Sequence, residues 1–64
     1  MPEKWTGKVV GKMHVESITQ LELASELGVT KNYVSMILHG KRNPPDAKER
    51  FNNALDRVIE KKKG

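Results

Sequence analysis

The side chains of this 64-residue chain that could do chemistry do not form a reactive cluster. Cysteine is absent, which excludes a disulfide framework and a cysteine zinc site. His14 and His39 stand far apart, without Cys, Asp or Glu at ligand spacing, so no metal site and no cofactor are expected. Asp46 and Glu49 form a carboxylate pair, but three residues is the spacing of a helix cap. No nucleophile–base pair and no Gly-rich phosphate loop occurs, so an enzyme is the remotest reading. What remains is Lys31, Asn32, Tyr33, Ser35 and Met36. An ammonium, an amide, a phenol, a hydroxyl and a soft thioether are suited to recognition by hydrogen bonds and contact, not to making or breaking bonds.

The elements that must hold this set are four helices. The first is expected over about residues 6–15, with Trp5, Val9 and Met13 on one apolar face and Val10 beside them. Gly7 and Gly11 weaken it by roughly 1 kcal/mol each. Trp5 is either core or a packing surface for a partner chain. Thr19 and Glu22 have capping-box spacing and start a second helix with Leu21, Ala24 and Leu27 as its buried stripe and Leu23 on the flank. Gly28 closes it. Thr30 caps a third helix through about His39, and Gly40 ends that one. Pro44 and Pro45 forbid direct continuation. The fourth helix, about 46–61, begins at Asp46 and Glu49 and buries Phe51, Ala54, Leu55, Val58 and Ile59. The tail, 62–64, has nothing to bury and is expected to fray.

The turn Gly28-Val29-Thr30 is short enough to force a steep crossing of the second and third helices, roughly 90–120°. Ala24 is small where they meet, Val29 can plug the corner, and Val34 and Ile37 face inward. At about 100° per residue, Val34, Ile37 and Leu38 share one side of the third helix. Asn32, Ser35, Met36 and His39 lie on the other, with Lys31 and Tyr33 flanking. That outward set lacks the charged pairs of a plain solvated helix. It matches what a DNA major groove presents, namely base acceptors, base donors and the thymine methyl. Plainer readings also exist. Met36 could be core, Tyr33 could cover the core edge, and Ser35 could permit close approach. His39 could complement the helix dipole, and Lys31 and Asn32 could be ordinary solvated positions.

The segment from Thr19 to Pro45 resembles the Cro and lambda-repressor type of helix-turn-helix family, the xenobiotic-response-element-like regulators. The matching residues are Gln20, Ala24, Gly28, Val29, Val34 and Ile37, at positions 1, 5, 9, 10, 15 and 18 counted from Gln20. Gly40-Lys41-Arg42-Asn43-Pro44 resembles the family's close to the recognition helix. The likeness covers about Trp5 to Ile59 and is strongest from Ile18 to Pro45. One departure is Ser17, where members often have glycine before Ile18-Thr19-Gln20. The resemblance implies a compact all-α, four- to five-helix, lambda-repressor-like domain with a central helix-turn-helix. It implies base contacts from Lys31, Asn32, Tyr33, Ser35 and Met36, in a helix whose amino-terminal half enters the groove. It implies phosphate contacts from Thr19, Gln20, Thr30, His39, Lys41, Arg42 and Asn43, which set register without reading sequence. Double-stranded DNA is the implied partner, bound by a homodimer on a two-fold related site, and no small-molecule ligand is implied. The function implied is sequence-specific transcriptional regulation, with repression the leading form. Phage, prophage, mobile-element and antitoxin contexts all use such domains.

Charge and composition agree with that expectation. The net charge is +4, and residues 40–50 and 51–64 each contribute +2 while 19–39 sum to −1. The Lys61-Lys62-Lys63 run is most simply a solvated tail. The chain is expected to be one domain, 1–64, with the helix-turn-helix at 19–39 and a basic loop at 40–45. No apolar run approaches the roughly 20 residues that span a membrane. The amino-terminal residues lack the apolar stretch of a secretory signal, so the expected compartment is the cytoplasm. The competing reading is a protein-interaction module, antitoxin-like or regulator-binding, which would show little salt-dependent DNA affinity. The polar outer face of the third helix argues against it.

Overall fold

The computed structural model describes residues 4–63. They form an all-α fold of four helices: α1 (Lys4–Val15), α2 (Gln20–Leu27), α3 (Lys31–Leu38) and α4 (Ala47–Lys63). α2 packs on α3 and α4, and α1 covers α4 and α3. One cluster of buried apolar side chains joins all four.

α1 starts two residues earlier than its apolar spacing suggests. Val9 and Met13 are buried, and Trp5 is half-buried with its ring edge-on to Phe51, centroids 5.6 Å apart. Val10, expected beside that face, is 46 % exposed; Thr6, three residues before Val9, takes the inward place. Gly7 and Gly11 have open space where a Cβ would stand, so the helix bears their entropic cost without using their smallness.

α2 begins with the expected reciprocal cap. Thr19 Oγ1 accepts from the Glu22 N–H at 3.1 Å, and the Thr19 N–H donates to Glu22 Oε1 at 2.9 Å. Its buried face differs from expectation. Leu23 is 0 % exposed and Ala24 1 %, whereas Leu21 is 64 % exposed and Leu27 half-buried. α2 lies between two partners, α3 and α4, and its inward side is set by both rather than by one stripe.

α1, α2 and α3 end in the same way. A left-handed residue follows each, and the N–H beyond it returns to a carbonyl five residues back: Ile18 to Met13 (2.8 Å), Val29 to Ala24 (3.0 Å), Lys41 to Met36 (2.8 Å). This is the Schellman arrangement, which satisfies carbonyls a helix end would otherwise leave open. Two of the left-handed residues are glycines, Gly28 (φ 75°) and Gly40 (φ 78°). The third is Ser17 (φ 58°), at the position where the family often has glycine. The turn therefore keeps its shape with a residue that adopts it at a cost.

α4 runs to Lys63, beyond the expected end at 61. Lys62 and Lys63 are helical rather than frayed, and Gly64 lies outside the described residues. The reason is α2. Arg57 Nε donates to Glu26 Oε2 at 3.0 Å, Lys61 Nζ donates to Glu26 Oε1, and Lys62 Nζ lies 3.0 Å from Glu22 Oε2. Lys62 also donates to the Ser17 carbonyl at 3.3 Å. The last two turns of α4 are thus held to α2 by charge as well as by Val58. Asp46 precedes α4, with its carboxylate 3.8 Å from the Arg50 guanidinium.

Candidate nucleic-acid interface

α3 positions the candidate recognition residues. Its inner side is fixed by Val34, Ile37 and Leu38, all buried. Thr30 starts the helix, its Oγ1 accepting from the Tyr33 N–H at 3.1 Å. With the inner side and the start both set, rotation of α3 about its axis is determined. Lys31 and Asn32 are then exposed at its amino-terminal end. Ser35 and Met36 are half-buried one turn on, so Met36 is neither core nor fully outward. Tyr33 is half-buried too and packs on the core edge beside Leu27, Val29 and Ile37. Its ring covers that edge.

The residues expected at phosphates sit at helix ends and in the loop. Thr19 and Thr30 are exposed caps whose hydroxyls already accept from backbone N–H groups. Gln20 is half-buried and opens α2, where free backbone amides and the helix dipole favour an anion. Lys41, Arg42 and Asn43 are exposed in the α3–α4 loop, and Lys41's own backbone is pinned to Met36. His39 is exposed and tied to the helix end. Its Nδ1 lies 2.7 Å from the Ser35 carbonyl and 3.2 Å from Ser35 Oγ. A carbonyl only accepts, so Nδ1 carries hydrogen and is committed to the end of its own helix.

The charge around this surface is one-sided. No acidic residue occurs between Glu26 and Asp46, while Lys31, Lys41 and Arg42 stand exposed there without an ion pair among the described residues. The acids of α2 are engaged elsewhere. Glu22 is held below the usual glutamate range first by the Thr19 N–H and then by Lys62. Glu26 is held below it by Lys61 and then Arg57. Both carboxylates are turned toward α4 and are neutralised there.

The sequence missed a second cationic group. Lys4 and Lys8 of α1 and Lys48 of α4 line one cleft with Trp5 and Asn52. The four-residue spacing of Lys4 and Lys8 was visible, but not that α4 would bring Lys48 beside them. Among the described residues no group of His, Cys, Asp and Glu could hold a metal ion, and no helix is long and apolar enough to cross a membrane.

Comparison with known proteins gives one match. No curated protein and no solved structure matches the chain. A family model described as helix-turn-helix matches residues 16–48, just over half of the chain, from the turn after α1 through the start of α4. That family consists of DNA-binding regulatory domains and is not an enzyme family. With its capped α2, the Gly28 turn and the buried inner side of α3, this chain belongs to the Cro/C1-type helix-turn-helix family.

Proposed function

We propose that the protein is a sequence-specific transcriptional regulator, acting as a repressor, that reads the major groove with the exposed side of α3. The observation that carries this is the surface itself. A buried inner side fixes α3, and its outer side offers Lys31 and Asn32 within a stretch free of acids. Asn32 can bond an adenine edge through both amide atoms, Lys31 suits guanine acceptors, and Met36 can pack on a thymine methyl. Tyr33 and Ser35 complete the base-reading set. Thr19, Gln20, Thr30, His39, Lys41, Arg42 and Asn43 grip the sugar-phosphate backbone and fix register.

An eight-residue helix is only about 12 Å long. It spans a few base pairs, too few to define a site alone. Two copies on half-sites one helical turn apart, roughly 34–36 Å, supply the rest.

Selection of bound duplexes from a random pool tests the reading, followed by salt titration of the best one. A two-fold related consensus is expected. On that duplex Asn32→Ala should lose roughly 1–3 kcal/mol, much less on random DNA, with an unchanged melting curve. Equal losses on both would assign Asn32 to the backbone. Weak, salt-insensitive binding to every duplex would sink the DNA reading in favour of a protein-docking one.

A further inference from the structure

The cleft between the amino-terminal halves of α1 and α4 is about 210 Å³ and is lined by Lys4, Trp5, Lys8, Lys48 and Asn52. Among the described residues no acid lines it, and none of its three lysines makes an ion pair. Asp46 and Glu49 belong to the same end of α4, but Asp46 faces Arg50 and neither lines the cleft.

Two further features make this end electropositive. Trp5 stands against Phe51 and Lys12 against Asp56, so α1 and α4 run side by side in the same direction. Their amino termini lie at one end, and each adds the equivalent of roughly half a positive charge there. Farther along, the same two helices form a groove of Lys12, Glu16, Asp56, Ile59, Glu60 and Lys63. There the charges are mixed and Lys12 bonds Asp56 at 3.3 Å. The excess of cations is therefore a property of one end, not of the helix pair.

The loop leads into the helix that bears Lys48. The Ala47 N–H donates to the Pro44 carbonyl at 3.1 Å, and Lys48 follows Arg42 by six residues. We propose that the cleft binds a phosphate of the DNA backbone beyond the segment faced by α3, an assignment that rests on the DNA-binding reading above. Three ammonium groups supply the charge. The Trp5 indole supplies a flat wall, with an N–H donor on its ring.

Trp5 is the only tryptophan in the chain, so tryptophan emission reports from the wall of the cleft. The experiment uses the full chain, the duplex chosen by selection, and the triple variant Lys4→Gln/Lys8→Gln/Lys48→Gln. For the unmodified protein, duplex should change Trp5 emission. Trimming the duplex flank should remove that change at a definite length. In the triple variant the emission change should vanish, and the slope of log affinity against log salt should fall by about one unit, the value for one phosphate contact. Base preference should stay the same. If the unmodified protein binds duplex tightly and the variant matches it in slope and emission, the cleft assignment alone is overturned. If the unmodified protein binds no duplex, both readings fall together. Inorganic phosphate alone is the second arm. Saturation of the Trp5 response by free phosphate, with none from duplex, would make this a small-anion site and overturn the backbone assignment. Should the triple variant lose its helical circular dichroism, Lys48→Gln by itself carries the slope and emission test.

Discussion

Two ends of this molecule use the same residue type in opposite ways. At the carboxy-terminal end of α4, Arg57, Lys61 and Lys62 are matched by Glu26 and Glu22, and the cations hold two helices together. At the amino-terminal ends of α1 and α4 and along the loop between α3 and α4, Lys4, Lys8, Lys41, Arg42 and Lys48 have no such partner among the described residues. A net charge of +4 describes neither end. What separates a lysine that fastens the fold from one free to meet a ligand is where the glutamates fall. Here Glu22 and Glu26 fall on the side of α2 that faces the carboxy-terminal end of α4.

The largest effect is expected at the joint between these regions. Ala24 is 1 % exposed where α2 meets α3. Ala24→Leu should destabilise by roughly 1–3 kcal/mol through overpacking. In a domain of this size each kcal/mol lowers the melting midpoint by about 4–8 °C. An unchanged midpoint would show that the two helices do not meet closely there. Next comes the open end. Lys41→Ala with Arg42→Ala should weaken binding to all duplexes alike and lower the salt slope by about two units. The same pair of changes at Arg57 and Lys61 should leave the slope alone and lower the melting midpoint. If the clasp variant changed the slope instead, the contrast between the ends would be wrong.

A smaller effect is expected at Ser17, whose φ of 58° costs an L-residue about 1–2 kcal/mol. Ser17→Gly removes that strain but adds freedom to the unfolded chain. A net gain of about 0.5–1 kcal/mol should appear as a higher midpoint with DNA binding unchanged. The smallest effect is acid sensitivity of the clasp. The native values of Glu22 and Glu26 lie below the ordinary 4.5. Their stabilising contribution is therefore complete above pH 4.5 and is lost as pH falls through the lowered native values. Glu26→Gln should flatten the acid limb of the stability profile. An identical limb in the variant would show the clasp to be idle.

Much of the fold was legible because its signals are local. Thr19 with Glu22, Thr30, and the glycines at 28 and 40 each act within a few residues, and all four sit where their chemistry requires. The inner side of α3 was legible for a related reason: Val34, Ile37 and Leu38 are the large apolar residues that can share one side. Leu21 and Leu23 were exchanged because both are leucines, and only the position of α4 decides which turns inward. The lysine tail was misjudged on the same ground. Glu22 and Glu26 are four apart, as are Arg57 and Lys61, but the match needs the packing of α2 on α4 to be known. Lys48 joins Lys4 and Lys8 only through the pairing of α1 with α4, forty-odd residues apart in sequence.

The parallel run of α1 and α4 also decides where a label or carrier protein belongs. α4 has 17 residues and spans about 25 Å, most of the 34 Å long axis. Lys4 and Lys63 therefore emerge at opposite poles. A bulky group attached at Lys4 would crowd the cationic cleft that this residue lines. One attached after Lys63 would leave from the clasped pole, where Lys62 bonds the Ser17 carbonyl and Glu22. For immobilisation, fluorescent tagging or fusion to an effector domain, the carboxy-terminal attachment keeps the cleft accessible but crowds the start of α2, with Thr19 and Gln20.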